Sequence, residues 1–292
     1  MSEGHRGSEG QGVMSAQPGA RESRRFRDLL PRSLSAVILI GLALATAIYG
    51  GPAFNAVWWA AGVAINWEWQ KLIGPERRLA RVLAGGVAVT LAAPVVHIAA
   101  LVPSIFVVAV GAVLVAIQAP RTLRLLAGFG VVYASALVIS LELLRASFPY
   151  GLEAIIWLFA VVWGTDVMAY FGGRLIGGPK LWPRLSPSKT WAGFLVGIGS
   201  GALAGLAVAP APGPYTIYIA LGLLAGAAAQ GGDLLESMLK RRFGVKDSSQ
   251  LIPGHGGVMD RLDGFTAAAV LAAALGVARF GFDAPAAGLF SW

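Results

Sequence analysis

SMLKRRFGVKDSSQLIPGHGGVMDRLDG, residues Ser237–Gly264, is a polar island in an oily chain. It gathers Lys240, Arg241, Arg242, Lys246, Asp247, His255, Asp260, Arg261 and Asp263, and an apolar run stands on each side of it. A chain shows this alternation when it leaves a bilayer, works at the surface and re-enters. The stretch thus points to membrane helices, with the chemistry at a membrane face.

Composition agrees. Of 292 residues, 56% are hydrophobic and 13% charged, against about 25% charged in a soluble domain. Mean hydropathy is +0.68. The expected fold is all-α, a polytopic integral membrane protein with about nine apolar spans, at 34–50, 54–70, 82–100, 103–118, 125–144, 152–171, 192–210, 215–238 and 264–280. The runs are continuous and rich in Ala, Leu and Gly, unlike the alternation of a barrel strand, so backbone satisfaction in lipid requires helices. Residues 1–33 read as a basic N-terminal tail, disordered over 1–20, and 34–292 as a transmembrane catalytic domain. Cysteine is absent, which excludes disulfides and thiolate metal sites. Three histidines (His5, His97, His255) argue against a multi-His zinc centre. The net charge of +8 reads as basic loops on one side of a membrane, with no nucleic-acid partner.

Charge tests the span count. With the N-terminus inside and strict alternation, all of the 23 basic residues except Arg145 and Arg279 fall on inside segments. The positive-inside rule therefore supports nine spans, a cytoplasmic N-terminus and an outside C-terminus. The two longest inside loops, 172–191 and 239–263, also carry most of the function-like residues.

Carboxylates in apolar spans are costly and need a partner or a task. Glu142 and Glu153 lie near helix ends and read as structural. Glu68 reads as one half of a salt bridge to a basic loop residue. Asp166 and Asp233 lie deeper. On a helix, Asp233, Glu236, Ser237 and Lys240 share one face, which should point into a cavity.

In IPGHGGVMDRLDG, Pro253 and the glycines around His255 specify a tight turn whose backbone N–H groups are free to face anions. Asp260 and Asp263, three residues apart at a helix start, join Asp233 in an oxygen-only set suited to Mg²⁺. The surrounding Lys and Arg suit a polyphosphate. Loop 172–191 adds Arg174, Lys180, Arg184, Ser186, Ser188, Lys189 and Thr190. Its SPSKT stands just before a span, a natural anion seat at a helix N-terminus. No Walker A spacing is present. Together these are parts for phosphoryl or nucleotidyl transfer.

At these residues the chain resembles the bacterial phosphatidate cytidylyltransferase (CDP-diacylglycerol synthase) family. The resemblance is carried by Ser237, Lys240, Arg241, Lys246, Asp247, His255, Gly256, Gly257, Asp260, Arg261 and Asp263, in order, and by AYFGGR (169–174) and SPSKTWAG (186–193). Ala192 departs from it, standing where the family usually has Glu. The resemblance implies CMP transfer from CTP to phosphatidic acid in phospholipid biosynthesis, in a bacterial inner membrane with the site facing the cytoplasm, and a homodimer. Phosphatidate is already anionic at neutral pH, so the barrier is anion against anion, and the site must neutralise charge and align the reactants. On this reading Asp233, Asp260 and Asp263 hold the metal. Lys240, Arg241, Lys246 and Arg261 hold phosphate, with Asp247 and His255 beside them. Arg174, Ser186, Ser188, Lys189 and Thr190 seat the nucleotide, and Asp166 positions Arg174 or approaches the metal.

Two rivals are weaker. A CDP-alcohol phosphatidyltransferase requires Asp-Gly-x-x-Ala-Arg, but Asp263-Gly264 is followed by Phe265-Thr266-Ala267-Ala268. An ion-coupled transporter predicts internal repeats and polar residues at mid-membrane, whereas here they collect at one face.

Overall fold

The computed structural model describes residues 18–99, 101–210 and 213–292, with side chains described over 33–92, 102–210 and 213–292. Among these residues nine long helices follow one another: α1 (Pro18–Tyr49), α2 (Gly51–Ile73), α3 (Arg78–Ala99), α4 (Leu101–Gln118), α5 (Arg124–Ala146), α6 (Gly151–Leu175), α7 (Trp191–Val208), α8 (Tyr215–Arg242) and α9 (Met259–Phe280). A short α10 (Pro285–Phe290) closes the chain. Each long helix coincides with one expected apolar run. Among the described residues five stretches are long and apolar enough to cross a membrane: Arg121–Ala146, Gly151–Leu175, Trp191–Val208, Tyr215–Arg242 and Met259–Phe280. This is the architecture of an integral membrane protein.

Three features differ from the sequence expectation. Helix α1 begins at Pro18, so the arginine-rich stretch before residue 34 is helical backbone, continuous with the apolar run; residues 1–17 of the expected disordered tail lie outside the described residues. Helix α9 starts at Met259, which puts Asp260 at a helix start as expected but ahead of the apolar run at 264, because its first turn is polar and escapes a hydropathy criterion. Finally, the fold is nearly all helical, since the 172–191 connection holds an antiparallel hairpin, β1 (Lys180–Trp182) paired with β2 (Ser186–Thr190).

Helix contacts follow from residue size. In α7, Gly193, Gly197, Gly201 and Gly205 recur at every fourth position and are buried. A Cβ on the first three would stand 2.7, 2.8 and 2.6 Å from the carbonyl oxygens of Ala169, Thr165 and Val161 on α6. Lipid chains are as apolar as leucine, so close backbone packing of small residues drives such association. Helices α8 and α9 cross in the same way: a Cβ on Gly232 would meet the Asp263 carbonyl oxygen at 2.5 Å. An aromatic ladder, Trp58, Phe265, Phe159 and Trp163, joins α2, α9 and α6, with successive ring centroids 5.3, 5.2 and 4.8 Å apart.

Polar residues finish what apolar packing leaves open. Arg145 donates from Nε to the Ala47 carbonyl (2.8 Å), satisfying the C-terminal end of α1. Fully buried Arg81 does the same for α2, reaching the carbonyls of Gln70 (3.1 Å) and Gly74 (2.7 Å). The second half of α2 carries Asn66, Glu68 and Gln70, all 0% exposed. Asn66 Nδ2 donates to Val82 O (3.1 Å) and Gln70 Nε2 to Ala127 O (2.9 Å), binding α2 to α3 and α5.

Candidate active site

A cavity of about 680 Å³ lies between two walls. Helix α6, the hairpin and α7 contribute Asp166, Arg174, Ser188, Lys189 and Thr190; helices α8 and α9 contribute Gln230, Asp233, Asp260, Arg261 and Asp263. The two polar loops, far apart in sequence, thus meet around one space. A second cavity of about 510 Å³ is apolar, lined by α1, α2, α6, the 251–258 loop and α9, with Trp58, Phe159, Trp163 and Phe265 on its walls. Asp166, Arg261 and Asp263 line both.

The acidic cluster differs from the expected set. Asp233, Glu236 and Asp263 each offer a carboxylate oxygen within 4.8 Å of the others. Asp233 and Glu236 lie one turn apart on α8, and the close crossing at Gly232 brings Asp263 against them. Asp260 has other work. Its Oδ1 accepts from Lys240 Nζ (2.8 Å), and its Oδ2 from the backbone N–H of Ser248 (3.0 Å) and Gly257 (2.8 Å) and from Ser248 Oγ (3.0 Å). The physical reason is its place in the first turn of α9: Asp260 faces back over the helix N-terminus, whereas Asp263 lies one turn farther in, facing α8. Glu236 fits the vacated role. It is buried, ion-paired with Lys240 (2.5 Å) and within reach of Asp260, and it takes no backbone amide of the strap among the described residues. Three oxygen donors of this kind suit a hard divalent cation.

On the opposite wall Lys189 Nζ reaches across to Asp233 Oδ2 (2.5 Å) and Gln230 Oε1 (2.9 Å). Gln230 Nε2 also approaches Asp166 Oδ1 (3.5 Å). Arg174 pairs with the Tyr170 hydroxyl (2.8 Å), one helical turn earlier, and not with Asp166 as the sequence reading allowed. Thr190 is the N-cap of α7, its hydroxyl accepting from Gly193 N–H (3.1 Å), and is buried. Its oxygen is committed to the helix, while Ser188 and Lys189 face the cavity.

The glycine turn also departs from expectation. Gly254 and Gly256 do adopt positive φ (75° and 86°), but several amides around them are already taken within the protein. Ile252 N–H bonds Gly256 O (2.8 Å), Gly257 N–H goes to Asp260, and Val258 and Met259 N–H go to Glu68 at 2.9 and 2.7 Å. Glu68 therefore pairs with backbone donors instead of a basic loop residue. His255 Nδ1 lies 2.7 Å from Ser35 Oγ on α1, and its carbonyl accepts from Arg261 Nε (2.8 Å), so it shapes the loop beside the apolar cavity. Arg241, Lys246 and Asp247 are exposed and line neither cavity; nor does half-buried Ser186, which pairs with Trp182 in the hairpin. Of the residues that now matter, Gln230 and Glu236 carried a readable signal, since both lie on the Asp233 face of α8.

A family model described as "Cytidylyltransferase family" matches residues 30–278. A phosphatidate cytidylyltransferase of Brucella suis is 40% identical over 270 residues, covering 91% of this chain and 99% of that protein. One of Pseudomonas aeruginosa is 34% identical over 261 residues, covering 85% and 96%. One of Bacillus subtilis is 44% identical over 119 residues, covering 40% and 44%.

Proposed function

The chain belongs to the cytidylyltransferase family, and from that premise we propose that it transfers CMP from CTP to phosphatidic acid. A phosphatidate oxygen bonds to the α-phosphorus of CTP, the bond to the β-phosphate oxygen breaks, and CDP-diacylglycerol and pyrophosphate result. One observation carries this reading: a polar cavity of nucleotide size and an apolar cavity meet at Asp166, Arg261 and Asp263. A water-soluble nucleotide and a lipid phosphate would be brought together there.

The residues divide the work. Lys189 exchanges its ion pair with Asp233 for the triphosphate, and Arg174 and Ser188 flank the same space. Arg261, facing both cavities, holds the lipid phosphate near the α-phosphate. Asp233, Glu236 and Asp263 would hold Mg²⁺, which supplies charge neutralisation for the phosphates when bound. Asp260 and Lys240 keep α8, the loop and α9 in register. Holding two anions in line is where most of the acceleration arises.

The same proposal includes nine spans with the N-terminus and the site on the cytoplasmic side of a bacterial inner membrane, and assembly as a homodimer. The chain lacks cysteine, so single cysteines in place of exposed Gln250 and Asp283 report sidedness directly. An impermeant maleimide applied outside spheroplasts should label the second and not the first. For the activity itself, purified protein in detergent should form CMP-labelled lipid from α-labelled CTP and phosphatidate, and chelation should abolish it. Solute flux without CMP transfer would overturn the reading in favour of a transporter.

A further inference from the structure

Helix α9 begins without a cap of its own. Its N-cap residue is Val258, whose side chain has no oxygen, yet the N–H groups of the first turn need acceptors. Two carboxylates take amides at or just before this start. Asp260, from within the turn, takes Gly257 N–H. Glu68, on α2, takes Val258 N–H through Oε1 (2.9 Å) and Met259 N–H through Oε2 (2.7 Å). Glu68 Oε1 also accepts from Ser249 Oγ (2.5 Å), whose oxygen in turn accepts from Leu251 N–H (3.1 Å).

Glu68 thus joins both ends of the strap 248–259. It is fully buried, as is Met259. A side chain at Gly257 would force its neighbours to move, since a Cβ there would stand 2.1 Å from Ser248 Oγ and 2.5 Å from Glu68 Oε1. A carboxylate at a helix N-terminus is favoured by the helix dipole and by charge-assisted bonds to the free amides. Among the described residues its donors all come from one strap, so their geometry sets where α9 starts. Immediately beyond this start α9 carries Arg261 and Asp263, which line both cavities.

We propose that Glu68 is a positioning residue for CMP transfer: by clamping residues 248–259 it fixes the start of α9 and hence places Asp263 and Arg261. This rests on the function proposed above. Glu68→Gln keeps shape but turns one acceptor into a donor facing an N–H or O–H. Asn66→Ala is the control, because Asn66 is equally buried on α2 and bonds only Val82 O away from the strap.

Amide hydrogen exchange on substrate-free protein and steady-state kinetics test it together. In Glu68→Gln, exchange across 248–259 should rise about tenfold or more while α2 and α5 stay protected. Its kcat should fall about 10- to 100-fold with the KM for CTP within about threefold, because the Lys189 wall is untouched. Asn66→Ala should lower the thermal midpoint yet keep kcat within about threefold. Wild-type kcat in Glu68→Gln, or equal kcat loss in both variants, would overturn the proposal. If Glu68→Gln does not fold, Ser249→Ala removes one donor and should show the same pattern, more weakly; unchanged exchange and kcat there would overturn it. Wild-type protein without CMP transfer sinks the functional reading, while exchange still decides whether the clamp exists.

Discussion

The two walls of the cavity are built on opposite plans. The wall of α8, the 248–259 strap and α9 is cross-braced: Asp260 and Glu68 accept from six donor groups of the strap, and Lys240 ties Asp260 to Glu236. On the opposite wall α6 and α7 pack closely, but the hairpin between them is loosely tied. Two short strands carry it, and Lys189 reaches out from it to the acidic side. The difference teaches a division of labour. On the proposed function, carboxylates that would share a cation must be rigid, because a small misplacement costs rate. Cations that grip a triphosphate can be mobile, because a flexible ammonium adapts to its anion.

Breaking the braced wall at its centre should have the largest effect. Asp233→Asn or Asp263→Asn should lower kcat for CMP transfer about 10³-fold, measured at matched folded protein, and a loss under tenfold would place the reaction elsewhere. Lys189→Ala should cost about 10²-fold in kcat/KM, mostly as a raised KM for CTP, with partial recovery in Lys189→Arg. A pure kcat effect would show that this wall, too, is part of the fixed geometry. Gly257→Ala should lower stability by about 2 kcal/mol, seen as a drop in thermal midpoint, because the new methyl collides with Ser248 and Glu68. Ser188→Ala, on the loose wall, should leave the midpoint unchanged. The smallest effect should come from Arg174→Ala, whose exposed bond to Tyr170 is worth about threefold in KM for CTP.

Legibility in the sequence tracked the range of the interaction involved. Helix positions were readable because apolar runs of bilayer length are local facts, and the α8 face of Asp233, Glu236 and Lys240 followed from helical periodicity alone. The hairpin was not readable: Lys180–Trp182 and Ser186–Thr190 are too short for a period-two signal, and their pairing is what makes them strands. Thr190 shows the middle case. Its place before a helix was visible, but whether its hydroxyl faced a substrate or capped α7 depended on the helix starting at the very next residue.

By itself the sequence determined the class of machine: an oily helical chain and a motif rich in groups of the kind that handle phosphate and metal. Those conclusions need only composition, periodicity and order. Tertiary structure alone decided which carboxylate does what. Asp260 and Asp263 are equivalent in any motif. Yet one is consumed by the amides of the strap while the other joins Asp233 and Glu236, because α8 and α9 cross at a glycine close enough to bring Asp263 across. Glu68, 181 residues before the serine it binds, belongs to the same strap for the same reason. A buried carboxylate takes its role from the donors that packing places around it, and those donors are not its neighbours in sequence.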